Sequence, residues 1–227
     1  MTLDKPKSLL EINGKPVLSY LVEKIERLDN VDEIFIVTNE KFYSHFDEWL
    51  KENQKKFAKK IKIVNDETKT NETRLGGIGD LNFVLEKEKI SDDLLVVLGD
   101  NLFDFDLISF LQFFKKINEV VVGVYDLKDF EEAKNFGVFE IKNSKLLSFE
   151  EKPQNPKTTI ISTGIYFFPE KDLKKIGEYM KTEKPKDGPG FLILDLLNSQ
   201  GVHTFEFKGK WFDVGTKETY EKLKNGF

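Results

Sequence analysis

LLVVLGDN, residues 94–101, is the stretch on which the fold turns. Leu94 to Leu98 are uninterruptedly apolar, and Gly99-Asp100-Asn101 follows at once. A strand that is apolar on both faces must be covered on both faces, as in a parallel sheet lying between helices. Outward from it the pattern repeats. LISFLQFFKKI (107–117) has helical spacing and EVVVGVYD (119–126) is another apolar run. On the other side GDLNFVLEKEKI (79–90) reads as a helix, KIKIVND (60–66) alternates as a strand, and FYSHFDEWLKENQKKF (42–57) is amphipathic. EIFIVTN (33–39) is a β-branched run that ends in a turn signal, and PVLSYLVEKIERL (16–28) is helical with a proline in its first turn. The stretch before it, MTLDKPKSLLEINGKP, reads as the exit of a loop. Strands alternating with helices predict an α/β fold, Rossmann-like and three-layered, with a mostly parallel sheet.

After about residue 135 the pattern changes. FGVFEI, KLLSFEEKP and STGIYFFP are short strands separated by turns, which predicts antiparallel hairpins. DGPGFLILDLLNSQ (187–200) returns to a helix, and HTFEFKGKWFDVGT (203–216) reads as a strand pair running into a last helix, KETYEKLKNG, that stops at Gly226. One domain over 1–227 is expected, with 1–134 as its α/β half and 135–227 as a β-rich insertion and closing segment.

The length of 227 residues suits one sizeable domain, and 39 % apolar with 33 % charged residues is ordinary for a globular chain. The 21 phenylalanines read mainly as core packing. A net charge of −5 argues against a nucleic-acid coat or an anionic membrane surface as partner, while leaving room for a local basic pocket for phosphates. With no cysteine, disulfides, thiolate catalysis and cysteine metal sites are excluded, and His45 and His203 alone do not make a zinc site. No apolar run reaches the roughly 18 residues of a membrane helix, and residues 1–15 lack a signal-peptide core. A cytoplasmic protein is expected.

Open α/β sheets bind ligands at the carboxyl ends of their strands. Asp100 stands at such an end, and Asp213 in KWFDVGT ends an aromatic strand before a helix. Each also fits a plain cap or turn aspartate. Together, two carboxylates at strand ends could hold one Mg²⁺, with waters and phosphates completing its octahedron. Lys7 in KPKS and Lys152 in EEKP sit beside prolines, which anchor a lysine better than a free helix face does; each could also be merely solvated. NETRLGGIGD (71–80) places Gly76 and Gly77 at a helix start, as a close-approach loop for a base or phosphate or as a tight turn. Its spacing is neither a dinucleotide fingerprint nor a P-loop.

Taken in order, DKPKSLLEINGKPVLSYLVEKI, VVLGDN, FGVFEI, SFEEKP, STGIYFF and WFDVGTKETYEKL resemble the sugar-1-phosphate nucleotidyltransferases, the family of glucose-1-phosphate thymidylyltransferase, over essentially the whole chain. The resemblance implies a glycosyltransferase-A-like fold. It also implies an enzyme that joins a nucleoside triphosphate to a sugar 1-phosphate with Mg²⁺ on Asp100 and Asp213. Lys7 is then similar to the lysine that contacts the triphosphate, Lys152 to the lysine that holds the sugar phosphate, and Glu151 to the glutamate on the sugar hydroxyls. Gly137 and Tyr166 resemble residues facing the sugar, and Gly76 and Gly77 fall where the family contacts the base, although TRLGGIGD departs from the thymidylyltransferase pattern.

Members of that family begin with a strand and a loop, broadly LAGGxGTRLxPLT, and TLDKPK picks up where this loop would end. The expectation is a shortened chain that is a weak enzyme at best. Its strands near EIFIVTN and LLVVLGDN would be incompletely paired, and it would be a homo-oligomer more readily than a complete member. Two other readings stand beside this one: a non-catalytic relative that binds sugar phosphates or nucleotides, and a nucleotidyltransferase for a non-sugar phosphate such as phosphocholine.

Overall fold

The computed structural model describes residues 4–224. A 3₁₀ turn over Lys7–Leu9 leads into β1 (Glu11–Ile12), β2 (Lys15–Pro16), α1 (Val17–Glu26), β3 (Glu33–Thr38), α2 (Glu40–Asn53), β4 (Lys60–Asn65), α3 (Gly76–Glu88), β5 (Leu94–Val97) and β6 (Asn101–Phe103). Then come α4 (Ile108–Ile117), β7 (Val121–Asp126), α5 (Phe130–Ala133), β8 (Gly137–Lys142), β9 (Lys145–Glu151), β10 (Ile160–Phe168) and α6 (Leu173–Met180). The chain closes with α7 (Pro189–Ser199), β11 (His203–Glu206), β12 (Trp211–Asp213) and α8 (Lys217–Lys224). The expected helix stop at Gly226 lies outside the described residues. The fold is Rossmann-like, with a mixed sheet core and a β-rich insertion. No described helix is long and apolar enough to cross a membrane.

Two compact units interleave along the chain. The first comprises Met1–Arg74, Leu98–Ile108 and Gly209–Phe227; the second comprises Leu75–Val97 and Ser109–Lys208. In the first, β3 and β4 run parallel in register from Glu33↔Lys60 to Thr38↔Asn65. α1 presents Leu18 and Val22 and α2 presents Phe46 and Trp49 to a core that includes Ile34, Ile61 and Ile63. The Trp49 indole N–H, buried there, donates to Ser19 Oγ at 3.0 Å, which removes the cost of an unpaired donor. Asn39 caps α2 by accepting from the Phe42 amide at 3.1 Å. The opening stretch is more than a loop exit. Asn13 and Gly14, with φ of 52° and 75°, form the two-residue turn of a small β1–β2 hairpin.

In this unit β6 and β12 pair antiparallel, Trp211↔Phe103, Phe212↔Leu102 and Asp213↔Asn101. HTFEFKGKWFDV is therefore not a hairpin. β11 joins the second unit's sheet, while β12 pairs with β6, whose facing residues lie 108 to 112 positions upstream. A small core of Ile12, Val17, Leu102, Val214 and Leu223 sits behind the pair.

The second unit is built on a six-stranded sheet in the order β5-β10-β7-β11-β9-β8, which a bridge between Ile161 and Val138 turns back onto β10. β7 and β11 are parallel, and β10 runs against both β5 and β7. Alternation along β10 explains how both faces are filled. Tyr166 and Phe168 join Ile78, Leu85, Ile176, Leu192 and Ile193 in one core. Phe167 faces the other way, stacked 4.6 Å from Phe114 of α4 and packed on Phe110. α6, over LKKIGEYM, buries Leu173, Ile176 and Tyr179 and was not anticipated from the sequence. Among the described residues β3 pairs with β4 alone and β5 with β10 alone, so each keeps one edge without a strand partner.

Candidate functional site

In the first unit the chain brings Lys7, Asp100 and Asp213 to neighbouring positions. The Pro6–Leu10 turn is closed by Leu9 N–H to Pro6 O and Leu10 N–H to Lys7 O, both 3.0 Å, and Leu9 anchors it in the core. A β-carbon at Gly99 would lie 3.5 Å from Ser8 Cβ, so Lys7-Ser8 runs alongside Gly99-Asp100. Asp213 stands opposite Asn101 across the β6–β12 pair, and the Val214 amide donates to the Asp100 carbonyl at 2.8 Å. Both aspartates are half-buried. The carboxylate of Asp213 folds over Gly215, where an added β-carbon would come within 2.7 Å of its Oδ2. Glycine two residues after the aspartate is thus a steric requirement of this conformation.

Asn101, which sequence reasoning passed over, ties the two aspartates' strands together. It is 2 % exposed, accepts the Trp211 indole N–H at 3.0 Å and donates from Nδ2 to the Leu98 carbonyl at 3.2 Å. Its amide satisfies both a donor and an acceptor in a place where water does not. Among the described residues no group of three or more histidines, aspartates or glutamates has the arrangement of a metal cage. Two aspartates on neighbouring backbone positions are the kind of donor that Mg²⁺ takes, a hard cation that keeps waters and binds one or two carboxylates with substrate phosphates.

In the second unit the β8–β9 hairpin and β10 gather Gly137, Glu151, Lys152 and Tyr166. Gly137 is opposite Glu151 in register, and the Lys152 amide extends the ladder to the Phe136 carbonyl at 3.1 Å. Lys152 takes φ of 46° immediately before Pro153. Residues preceding proline favour extended backbone, so this left-handed turn is an outlier of the kind that clusters at binding sites. A bulge between Ser162 and Tyr166, with Gly164 at φ of 72°, lets Ser162 Oγ and Tyr166 Oη meet at 2.8 Å. Burial pushes the Tyr166 phenol up to about 12, with the Glu151 charge adding to the rise and the Ser162 bond opposing it, so the phenol stays neutral.

Glu151 as a residue remains open to solvent, yet packing around its carboxyl pushes its pKa above the ordinary value, against the pull of Lys152. A carboxyl raised in the native state contributes stability that is fully present below its unfolded pKa and is lost as pH rises through the native one. Glu151→Gln cannot ionise. It should raise the melting temperature relative to the wild type near pH ~7 and bring no gain near pH ~4. Thermal melts at both pH values check this, and an identical difference at the two would refute it.

Gly76 and Gly77 open α3, and both come close to the loop before α7. Gly76 has φ of 76°, and a β-carbon there would meet the Lys186 carbonyl oxygen at 2.7 Å. The amides of Gly77 and Ile78 donate to the carbonyls of Asp187 and Lys186 at 3.1 and 3.0 Å. The two helix-start donors are therefore satisfied by the loop before α7.

Comparison with known proteins gives a consistent picture. The family model for the nucleotidyl transferases matches residues 1–226. The bifunctional protein GlmU of Methanocaldococcus jannaschii is 30 % identical over 219 residues, which are 95 % of this chain and 47 % of that protein. The glucose-1-phosphate adenylyltransferase of Clostridium beijerinckii is 36 % identical over 128 residues, 54 % of this chain and 33 % of that one. The chain thus spans about half the length, or less, of these curated relatives. Among solved structures, a Bacillus anthracis protein to which glucose-1-phosphate thymidylyltransferase activity has been ascribed, in complex with sucrose, superposes with a TM-score of 0.82 at 25 % identity, covering 99 % of this chain and 87 % of that one.

Proposed function

The chain belongs to the nucleotidyl transferase family, and from that premise we propose that it joins a nucleoside triphosphate to a sugar 1-phosphate and releases pyrophosphate. The observation that carries the reading is the β6–β12 pairing, which brings Asp100 and Asp213 together from 113 residues apart at the end of one short strand pair. Support comes from the separate cluster of Gly137, Glu151, Lys152 and Tyr166.

In the reaction an oxygen of the sugar 1-phosphate attacks the α-phosphorus of the triphosphate. The new P–O bond forms as the α–β phosphoanhydride bond breaks, and the bonding pair leaves on pyrophosphate. The attacking oxygen is already anionic, so no side chain has to remove a proton. What the protein must do is align two anions and offset their charge. Lys152, held by its left-handed turn, would take the acceptor phosphate and Lys7 the triphosphate. Glu151 and the Tyr166 phenol would orient the sugar beside the Gly137 backbone. Asp100 and Asp213 would hold Mg²⁺, which when bound supplies charge neutralisation at the phosphates. Gly76 and Gly77 would set the α3 start beside the base.

The test is a pyrophosphate-release assay with ATP, GTP, UTP and TTP, each against glucose, mannose and N-acetylglucosamine 1-phosphates and phosphocholine. Turnover with a sugar 1-phosphate is expected. Turnover with phosphocholine alone would overturn the acceptor assignment. Ligand binding without any turnover would make the chain a non-catalytic relative.

A further inference from the structure

We infer that the segment 186–190, acting through the ring of Phe149, is a positioning strap that sets the acceptor-binding strand pair; this deepens the functional reading above and rests on it. Phe149 lies on β9 two residues before Glu151 and is 8 % exposed. Its ring tip is held between two glycines. A β-carbon at Gly190, in the first turn of α7, would fall 2.2 Å from Phe149 Cζ. One at Gly137 would fall 2.5 Å from Phe149 Cε2 and 3.1 Å from Glu151 Oε2. The same ring edge thus meets both α7 and the glycine opposite Glu151. Phe139, 5.2 Å away, closes off a further direction of retreat.

Gly190 is itself tightly tethered. Pro189 precedes it at the helix start, and a β-carbon on Gly77 would come within 3.4 Å of the Pro189 ring and 2.9 Å of the Asp187 carbonyl oxygen. The carbonyls of Lys186 and Asp187 accept the Ile78 and Gly77 amides in the first turn of α3. Lys186 in turn donates from Nζ to the carbonyls of Tyr179 and Thr182 at 3.0 and 2.6 Å, and Tyr179 Oη donates to the Pro185 carbonyl at 2.8 Å. Both ends of the strap are therefore fixed, one to the start of α3 and the other, through Phe149, to the Gly137–Glu151 pair. Close-packed contacts of this kind transmit small displacements instead of absorbing them.

None of Lys186, Asp187, Pro189 or Phe149 is assigned a contact with substrate; each acts by holding Glu151 and Gly137 in place. Gly190→Ala should push the Phe149 ring against Gly137 and displace the Glu151 carboxylate. Because a misplacement of about 1 Å can cost about 10²-fold, a loss of roughly tenfold in affinity for the acceptor is expected. Phe149→Leu in the Gly190→Ala background removes the clash and should recover most of the loss. Phe149→Leu alone, which frees the strand without overpacking it, should weaken the acceptor by about threefold.

The experiment is calorimetric titration of the full chain and the three variants with glucose, mannose and N-acetylglucosamine 1-phosphates. Partial misfolding would lower the stoichiometry and leave the Kd of the folded molecules unchanged; a positioning role moves the Kd at constant stoichiometry. Should Gly190→Ala not fold, Phe149→Leu alone decides. Binding to the wild type with an unchanged Kd in the variants would overturn the strap and leave the functional reading intact. Absence of binding of all three to the wild type would overturn the functional reading and the strap with it.

Discussion

On the proposed reaction, Asp100→Asn and Asp213→Asn should each lower pyrophosphate release by roughly 10²–10³-fold and leave the fold intact. Asparagine keeps the side-chain shape and one oxygen acceptor but removes the charge on which a hard divalent cation depends. The contact that brings the two positions together is made by backbone, from the Val214 amide to the Asp100 carbonyl, so neither substitution breaks it. With that backbone contact kept, the melting temperature should hold within a few degrees. Groups that act as a unit are not additive, and the double variant should be scarcely slower than either single one. Titration with Mg²⁺ supplies an independent readout, in which both variants lose the heat shown by the wild type. Wild-type turnover in either single variant would remove the pair from the mechanism.

Asn101→Ala gives the second large effect, and it acts on stability first. The substitution leaves the Trp211 indole N–H, at a residue 7 % exposed, without its acceptor. An orphaned buried donor costs about 1–3 kcal/mol, and the void left by the amide adds to that. A drop in melting temperature of roughly 4–10 °C follows for a chain of this size. The strands carrying Asp100 and Asp213 would slacken together, so activity should fall even among folded molecules. Asn101→Asp keeps an acceptor for the indole but loses the Nδ2 donor to the Leu98 carbonyl and buries a charge, so it should not rescue the loss. Thermal melts and turnover measured at a temperature well below both midpoints check this, and unchanged values in Asn101→Ala would refute it.

The elements with long, regular apolar spacing were legible from the sequence. α1, β3, β4, α4 and α7 stand within a few residues of their expected positions, because local periodicity carries their burial pattern. Pairing was less legible, since it depends on residues far away in the chain. LLVVLGDN reads as one run, yet Leu94–Val97 belongs to one unit and Leu98–Asn101 to the other. Likewise the turn-like Lys208-Gly209-Lys210 marks a boundary between units, where a hairpin was expected. The same limit explains Asn101. Beside an aspartate it reads as a turn residue, and only its tertiary partner Trp211 shows what it holds. Gly76 and Gly77 were recognisable as places of close backbone approach, but what approaches them lies 110 residues downstream.

The β6–β12 pairing also constrains how the molecule comes into being. Asp100 is synthesised long before Asp213, and at about 5–20 residues per second the interval is roughly 6–23 s. Until Trp211–Asp213 emerge, Asn101–Phe103 has no strand to pair with and Asn101 no indole to accept. Val214 and Leu223, which complete the small core around Leu102, arrive later still. The nascent chain therefore cannot assemble its acidic corner before Trp211–Asp213 have been added. Competence of this corner is acquired only once residue 213 has been added, and a ribosome stalled before residue 211 would carry a chain in which that corner has not formed.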